Sequence, residues 1–285
     1  MYKFYDYNKG EIVYSVVMPI YNQEQIIVKN ILSVIEHTVG NFEIILILDY
    51  CFDATEKNII DFFNTYQNKK DNFICLKIFK NSEKPLFETK CDNIGFKNST
   101  GNYCLEIQAD MEMTELGYNI HLTKPFDLLD NVIAVSGRCA HYLFDHSGVG
   151  KLGGLIEKNI EDLNVEKNKF YVLETCNRGP LLIERKKLEE LNYLNEEDYF
   201  LDDSDHDLMA RAYIEKKYIC GYVPINFRAP LSNGSVRNNL NYNYCPEYLI
   251  NKSEKMRLTH IGNTKLGLAK YKNKWVKRKL MTYDL

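Results

Sequence analysis

The fold is decided by residues 14–55, which read YSVVMPIYNQEQIIVKNILSVIEHT over Tyr14–Thr38 and FEIILILDYCFDAT over Phe42–Thr55. Tyr14–Ile20 is a nearly unbroken apolar run, the pattern of a strand covered on both faces, and Phe42–Leu48 repeats it. Between them Ile26, Ile27, Ile31, Leu32, Val34 and Ile35 recur at helical spacing, with Asn22 placed to cap the helix. Asp53 followed by Glu56 has the spacing of a capping box and opens a helix carrying Ile59, Ile60, Phe62 and Phe63. Working outward, Phe73–Phe79 (FICLKIF) reads as a third strand, Leu86–Lys97 as a helix and Tyr103–Gln108 (YCLEIQ) as a fourth strand. This alternation implies a mostly parallel sheet with right-handed crossovers. Ligands of such sheets bind beyond the carboxyl ends of the strands. The residues at those ends are Pro19, Tyr21 and Asn22, then Asp49, then Ala109, Asp110 and Glu112.

The second half is less regular. A strand is expected over Val132–Leu143 and a final one over Tyr218–Phe227, with helices over Gly154–Leu163, Glu184–Leu191 and His206–Lys216. Residues 230–249, rich in Asn, Ser, Gly and Tyr, read as a long mobile loop. Lys265, Lys270, Lys272, Lys274, Lys277, Arg278 and Lys279, interleaved with Leu266, Leu268 and Trp275, read as a basic helical tail. Such a tail packs one apolar stripe or rests on an anionic membrane surface.

Composition narrows the class. The chain has 285 residues, 45% apolar and 26% charged, the balance of an ordinary globular protein. Lys and Arg number 36 against 39 Asp and Glu, a net charge of −3, which argues against a protein that coats nucleic acid. No two of the eight cysteines form a C-x-x-C pair, which disfavours a zinc ribbon or a dithiol redox site. The N-terminal stretch MYKFYDYNKGEIVYS lacks the apolar core of a signal peptide. No apolar run is long enough to cross a bilayer. The expectation is a reduced, cytoplasmic protein that uses cysteines as small core residues. None of the six histidines sits in H-E-x-x-H, and no G-x-S-x-G is present. Gly148, Gly150 and Gly153 match G-x-G-x-x-G, but mid-chain after a polar stretch, where turn glycines are the better reading.

Three acidic sites remain: Asp49, the pair Asp110 and Glu112, and the cluster Asp202, Asp203, Asp205 and Asp207. Carboxylates at strand ends can accept from a base or ribose, or hold Mg2+ or Mn2+ against a diphosphate. Asp49 fits equally a turn aspartate that caps a helix, and the cluster fits a solvated helix start favoured by the macrodipole.

In order and spacing these stretches resemble the family 2 glycosyltransferases. Pro19, Tyr21 and Asn22 match the family's Pro-x-Tyr-Asn, and Asp49 the second Asp of its Asp-Asp pair. Asn93 and Gly101 match the next helix, and Gln108-Ala109-Asp110 sits where Asp-x-Asp belongs. Ser204-Asp205-His206-Asp207-Leu208 with Arg211 sits where a Glu-Asp pair precedes an Arg-bearing helix. The likeness spans roughly residues 12–230. It implies an α/β GT-A fold, a Rossmann-like, mostly parallel sheet flanked by helices in one compact domain. Residues 1–112 would form the nucleotide-sugar half, 113–230 the acceptor and base half, and 231–285 a loop and helical extension.

The resemblance also implies roles. Tyr21 would lie beside the base and Asp49 would accept from it. Pro19, Asn22, Gln108, Ala109 and Asp110 would line the donor, with Lys84 and Lys90 as further cations. Asp110, with Glu112 as a second carboxylate, would hold Mn2+ or Mg2+. Asp205 would be the general base of an inverting transfer from a nucleoside diphosphate sugar, UDP foremost, to a glycan or other hydroxyl acceptor. Arg178 and Gly179 of Asn177-Arg178-Gly179-Pro180, with Asp203, would meet the acceptor. Apart from the resemblance, Asn233-Gly234-Ser235-Val236-Arg237 fits equally a Gly-Ser backbone with Arg237 closing on the diphosphate, by the logic of anion nests and Arg forks, and an ordinary flexible loop. The chain departs from the pattern at Leu48, Gln108 and Ser204, and no His follows Leu231 in Leu231-Ser232-Asn233-Gly234. Those departures keep a second reading open, a catalytically silent sugar-nucleotide or glycan binder. A third, a sugar-nucleotide nucleotidyltransferase, would need a Gly-rich basic loop where Tyr21-Asn22-Gln23-Glu24 stands.

Overall fold

The structure, a computed structural model, describes residues 3–138, 166–173, 175–199, 204–229, 270–271, 274–275 and 281–285. The expected helix over Gly154–Leu163, the glycines at 148–153, the loop at 230–249, and Asp202, Asp203 and Arg237 lie outside them.

After an edge strand β1 (Lys3–Asp6), the first half runs β2 (Tyr14–Ile20), α1 (Ile27–His37), β3 (Phe42–Asp49), α2 (Thr55–Thr65), β4 (Phe73–Asn81), α3 (Phe87–Lys97) and β5 (Tyr103–Glu106). The chain continues through β6 (Glu112–Met113), α4 (Tyr118–Leu128), β7 (Val132–Ser136), β8 (Lys169–Leu173), β9 (Leu181–Glu184), α5 (Arg185–Glu190) and α6 (Ser204–Arg211). A π-helical turn over Ala212–Lys216 leads to β10 (Ile219–Tyr222) and β11 (Phe227–Arg228). Short strands β12 (Lys270–Tyr271), β13 (Lys274–Trp275) and β14 (Thr282–Asp284) follow.

The strand order of the main sheet is β1-β4-β3-β2-β5-β9-β7-β10-β8-β14. Strands β4, β3, β2 and β5 are mutually parallel, and β7 pairs in parallel with β10. Between these blocks β9 runs antiparallel to both β5 and β7. All six parallel strands therefore end at one edge of the sheet. A second, small sheet pairs β6 with β11 beside that edge.

Helices cover both faces. Val16, Met18, Ile20, Ile44, Leu46 and Leu48 pack with Ile27, Ile31 and Val34 of α1 and Ile59 of α2. Val17, Ile45 and Ile47 face the other way, onto Cys91 and Phe96 of α3 and Leu208 and Met209 of α6. This period-two division explains why β2 and β3 read as continuous apolar runs. Each such side chain, fully buried, contributes on the order of 1.5–3 kcal/mol. At Gly95 of α3 a Cβ would overlap Val17 Cγ1 and lie 3.1 Å from Ile47 Cδ1, so the missing side chain lets the helix lie close on the sheet. Five of the cysteines, Cys75, Cys91, Cys104, Cys176 and Cys220, are buried, as read from the sequence.

Several local expectations are corrected. Asn22 does not cap α1, which begins at Ile27 without a side-chain cap. It adopts φ 48° instead, and its Oδ1 accepts from the Phe52 N–H at 3.0 Å, tying the loops after β2 and β3. The proposed capping box is replaced by a cross-loop exchange. Asp53 accepts from Glu24 N–H and Thr55 N–H, and Glu24 accepts from Ala54 N–H, while Glu56 pairs with Lys80. The strand expected over Val132–Leu143 ends at Ser136. Ser136 Oγ accepts from Arg138 N–H at 2.9 Å and donates to Asn177 O at 2.8 Å, which turns the chain. The final strand breaks before Pro224, which has no N–H for a ladder, and resumes as β11 on the small sheet. The tail is not helical where it is described: β12 and β13 pair antiparallel, and β14 adds to the main sheet beside β8. Tyr271, Trp275 and Tyr283 are aromatic residues that favour strands, which offsets the helical spacing of the lysines. Among the described residues no helix is long and apolar enough to cross a membrane.

Candidate active site

The carboxyl edge gathers most of the sequence-predicted residues. Tyr21 follows β2, its ring edge-on to Phe52 at 6.0 Å between centroids. Asp49 ends β3. Its Oδ1 accepts from Asn81 Nδ2 at 2.7 Å, and both oxygens accept from the Leu86 N–H, with Phe87 N–H completing the set at 2.9 Å. It thus holds the start of α3, one helix later along the chain than a turn aspartate ordinarily caps. Lys84 and Lys90 are exposed nearby.

Beyond β5, the Ala109 carbonyl accepts from Asn30 Nδ2 at 2.8 Å, which fixes the loop carrying Asp110. Gln108 Nε2 donates to Glu88 at 2.6 Å, and its Oε1 accepts from Arg138 at 3.3 Å. Glu112, expected beside Asp110 at a metal, pairs with Lys29 on α1 at 2.8 Å.

Beneath this loop lies a buried cluster of charges. Arg178 Nη1 donates to Asp92 Oδ2 at 2.9 Å, Nη2 lies 3.5 Å from Glu88 and Nε 4.0 Å from Asp205. Its guanidinium therefore points inward among carboxylates, which corrects the expectation that it reaches an acceptor. Its own N–H donates to Asp205 Oδ2 at 2.9 Å, and His206 N–H donates to Oδ1 at 2.9 Å. Gly179, at φ 66°, donates to Glu106 Oε2 at 2.6 Å; a Cβ there would meet Met111 Cε at 2.6 Å. Gly179 is thus a close-approach position in the wall of this loop.

Electrostatics divide the carboxylates. Burial would raise the Asp205 carboxyl, but His206, the Arg178 charge and the two main-chain N–H groups outweigh it and hold the group below the usual range. Asp92, fully buried, goes the other way: burial, only partly offset by Arg178, pushes it up to about 8. Glu106 is raised well above its usual value by burial and by the neighbouring Asp92 and Glu88. Asp92 Oδ1 and Glu106 Oε1 are buried without hydrogen-bond partners, and a proton on this pair relieves their mutual repulsion.

Residues 15–138 match the family model described as glycosyl transferase family 2. This segment belongs to glycosyl transferase family 2. The described residues have the GT-A fold of their structural neighbours. S. aureus TarS 1–349 in complex with UDP superposes with a TM-score of 0.51 at 15% identity, covering 77% of this chain and 61% of that one. GalNAc-T7 with UDP, GalNAc and Mn2+ gives 0.58 at 17%, covering 77% and 44%. Mannosyltransferase PcManGT from Pyrobaculum calidifontis, in complex with GDP-Man and Mn2+, gives 0.55 at 15%, covering 85% and 61%. The chain thus spans less than two thirds of the length of these neighbours. By sequence, no curated protein matches it.

Within the family 2 segment, sequence reading missed Glu88, Asp92, Glu106 and Arg138. Glu106 carried a signal, a lone acid in the otherwise apolar YCLEI run, and Arg138 lies just past a strand end. Glu88 and Asp92 carried none, because their partner Arg178 is distant in the chain. Glu88, Asp92 and Glu106 bring carboxylate oxygens within 4.8 Å of one another, an oxygen donor set suited to Mg2+ or Mn2+. However, the Arg178 guanidinium already serves as their cation. Asp110, at the open strand end, has the better chemistry for a cation that also takes phosphate oxygens.

Proposed function

We propose that the chain transfers a sugar from a nucleoside diphosphate sugar to a hydroxyl of a glycan or similar acceptor, by single displacement with inversion. One observation carries this reading. In a GT-A fold, the strand end bearing Asp110 shares the carboxyl edge of the sheet with Asp205, whose carboxyl is held below the usual range by His206, the Arg178 charge and two main-chain N–H groups. The acceptor oxygen would bond to the anomeric carbon as its proton passes to Asp205. The bond from that carbon to the diphosphate oxygen would break, and the electron pair would leave with the nucleoside diphosphate. Mg2+ or Mn2+, held by Asp110 and the diphosphate, would supply Lewis-acid neutralisation of the leaving group.

Tyr21, between Pro19 and Asn22, would lie beside the base. Asp49 would reach a base N–H only by giving up Leu86 or Phe87, so we assign it to shaping the 81–87 loop. Gln108 and Ala109 set the floor of the donor site, with Lys90 at its margin. UDP is the first nucleotide we assign; neighbours that hold UDP and GDP-Man support a nucleoside diphosphate donor. Roles for Asp203 at the acceptor and Arg237 at the diphosphate are proposals from the sequence. So are a cytoplasmic location and contact of the basic tail with a membrane surface. The engagement of Glu112 by Lys29 and of Asp49 by backbone favours one other reading, a silent sugar-nucleotide binder.

Thermal shift against UDP-, GDP-, dTDP- and CMP-sugars, with and without Mn2+, tests the donor assignment. A donor at a hundred times its Kd stabilises by about 2.7 kcal/mol. That raises the melting temperature by roughly 4–5 °C in a chain of this size. One nucleotide class should do so, more strongly with Mn2+. No shift with any of them would overturn the reading. Binding without transfer to any acceptor, or to water, would favour the silent binder.

A further inference from the structure

Two arginines are buried side by side at the carboxyl edge, and only one is neutralised by direct contact. Arg178 has three carboxylates within 4.0 Å. Arg138, just past the end of β7 and 8% exposed, forms no ion pair among the described residues. Its Nη1 makes two long hydrogen bonds to neutral oxygens, Gln108 Oε1 at 3.3 Å and the Arg178 carbonyl at 3.5 Å. Its Nε is buried with no partner at all.

A guanidinium carries five N–H donors. Burying one with so few of them satisfied is costly, and it is a poor way to stabilise a fold. What holds it there is the field of the cluster: Asp205, Glu88, Asp110 and Glu106 all attract its charge, though burial lowers its proton affinity. These carboxylates position the charge without consuming its hydrogens. Residue 108 decides the rest. An aspartate there would bring a negative charge up to Arg138. The neutral Gln108 amide is instead turned toward Glu88, at 2.6 Å, and only its carbonyl oxygen faces the arginine.

We propose that Arg138 is a donor-site residue whose unspent N–H groups take the diphosphate of the sugar nucleotide. Its planar fork matches two phosphate oxygens, and its position beside Gln108 places it at the strand end bearing Asp110. As the bond from the anomeric carbon breaks, the electron pair comes to rest on the diphosphate oxygen, and Arg138 stabilises that charge. The inference rests on the donor reading above, and adds a protein cation to the leaving-group side of the site.

The test compares wild type, Arg138→Met and Arg138→Lys for binding of UDP and GDP and of the matching nucleosides, by calorimetry or ligand-observed NMR. Circular dichroism confirms folding. For the nucleoside diphosphate that wild type binds, the Met variant should raise Kd at least tenfold and the Lys variant by less, while nucleoside binding stays within twofold. If the Met variant does not fold, the Lys variant carries the same comparison, with a Kd at least threefold above wild type expected. Unchanged nucleoside diphosphate affinity, or an equal loss for nucleoside and nucleoside diphosphate, would overturn the role of Arg138 alone. A wild-type protein that binds neither UDP nor GDP would overturn the donor reading, and the anion assigned here with it.

Discussion

Arg178 joins two tasks in one residue. Its side chain pairs with Glu88 and hydrogen-bonds Asp92, while its backbone N–H fixes Asp205. Removing one member of such a buried ion cluster leaves the others unpaired, which costs about 3–5 kcal/mol. Arg178→Met should therefore lower the chemical-denaturation stability by that amount. The buried acids make a second prediction, on pH. Asp92 titrates near 8 when folded and near an ordinary aspartate value of about 4 when unfolded. Between those values the folded chain keeps a proton that the unfolded chain has released, so this group's contribution to stability falls as pH rises from about 4 to about 8, then levels off. Asp92→Asn should flatten that part of the melting-temperature profile, and an unaltered slope would place the titration elsewhere. Asp205, held low, behaves oppositely. Its contribution is present above the unfolded value of about 4 and is lost as pH falls through the folded one.

At the scale of elements, the first half was readable because β2 through β5 are largely covered on both faces and so announce themselves as apolar runs. Their chain order alone then placed Tyr21, Asp49 and Asp110 at one edge. The antiparallel β9 was missed. Its four residues, Leu181–Glu184, merge with the helical pattern that follows, and nothing local says that β9 inserts between β5 and β7. Strand β1 hides for the opposite reason, since its alternate residues are exposed at the sheet edge. The buried charges were illegible because Asp92 and Glu106 become tolerable only through Arg178 and Gly179, brought up by β9's pairing with β5. One close approach between elements is α3 on β2. Gly95→Ala would press a methyl into Val17, with Ile47 at 3.1 Å, and overpacking of that kind costs about 1–3 kcal/mol. Urea denaturation should show that loss, and an unchanged midpoint would mean the helix can lift without penalty.

Across the whole molecule, the net charge of −3 conceals where the charges sit. Those of the candidate site are folded inward at the carboxyl edge, where Asp205 is held low, Asp92 and Glu106 are raised, and two arginines lie among them. The far half of the sheet supports that edge, down to β14 pairing with β8 beyond β10. Asp205 is held at that edge by a turn from one side and its own helix from the other. The most direct measurement is the rate of nucleoside diphosphate release from the sugar donor that the protein binds, across a panel of hydroxyl acceptors, for wild type and Asp205→Asn in parallel. Loss of a general base typically costs about 10²–10⁴ in rate. The variant should be slower by at least about a hundredfold with donor affinity within twofold of wild type. Equal rates in the two proteins would contradict the assignment of Asp205, and with it the mechanism proposed for this edge.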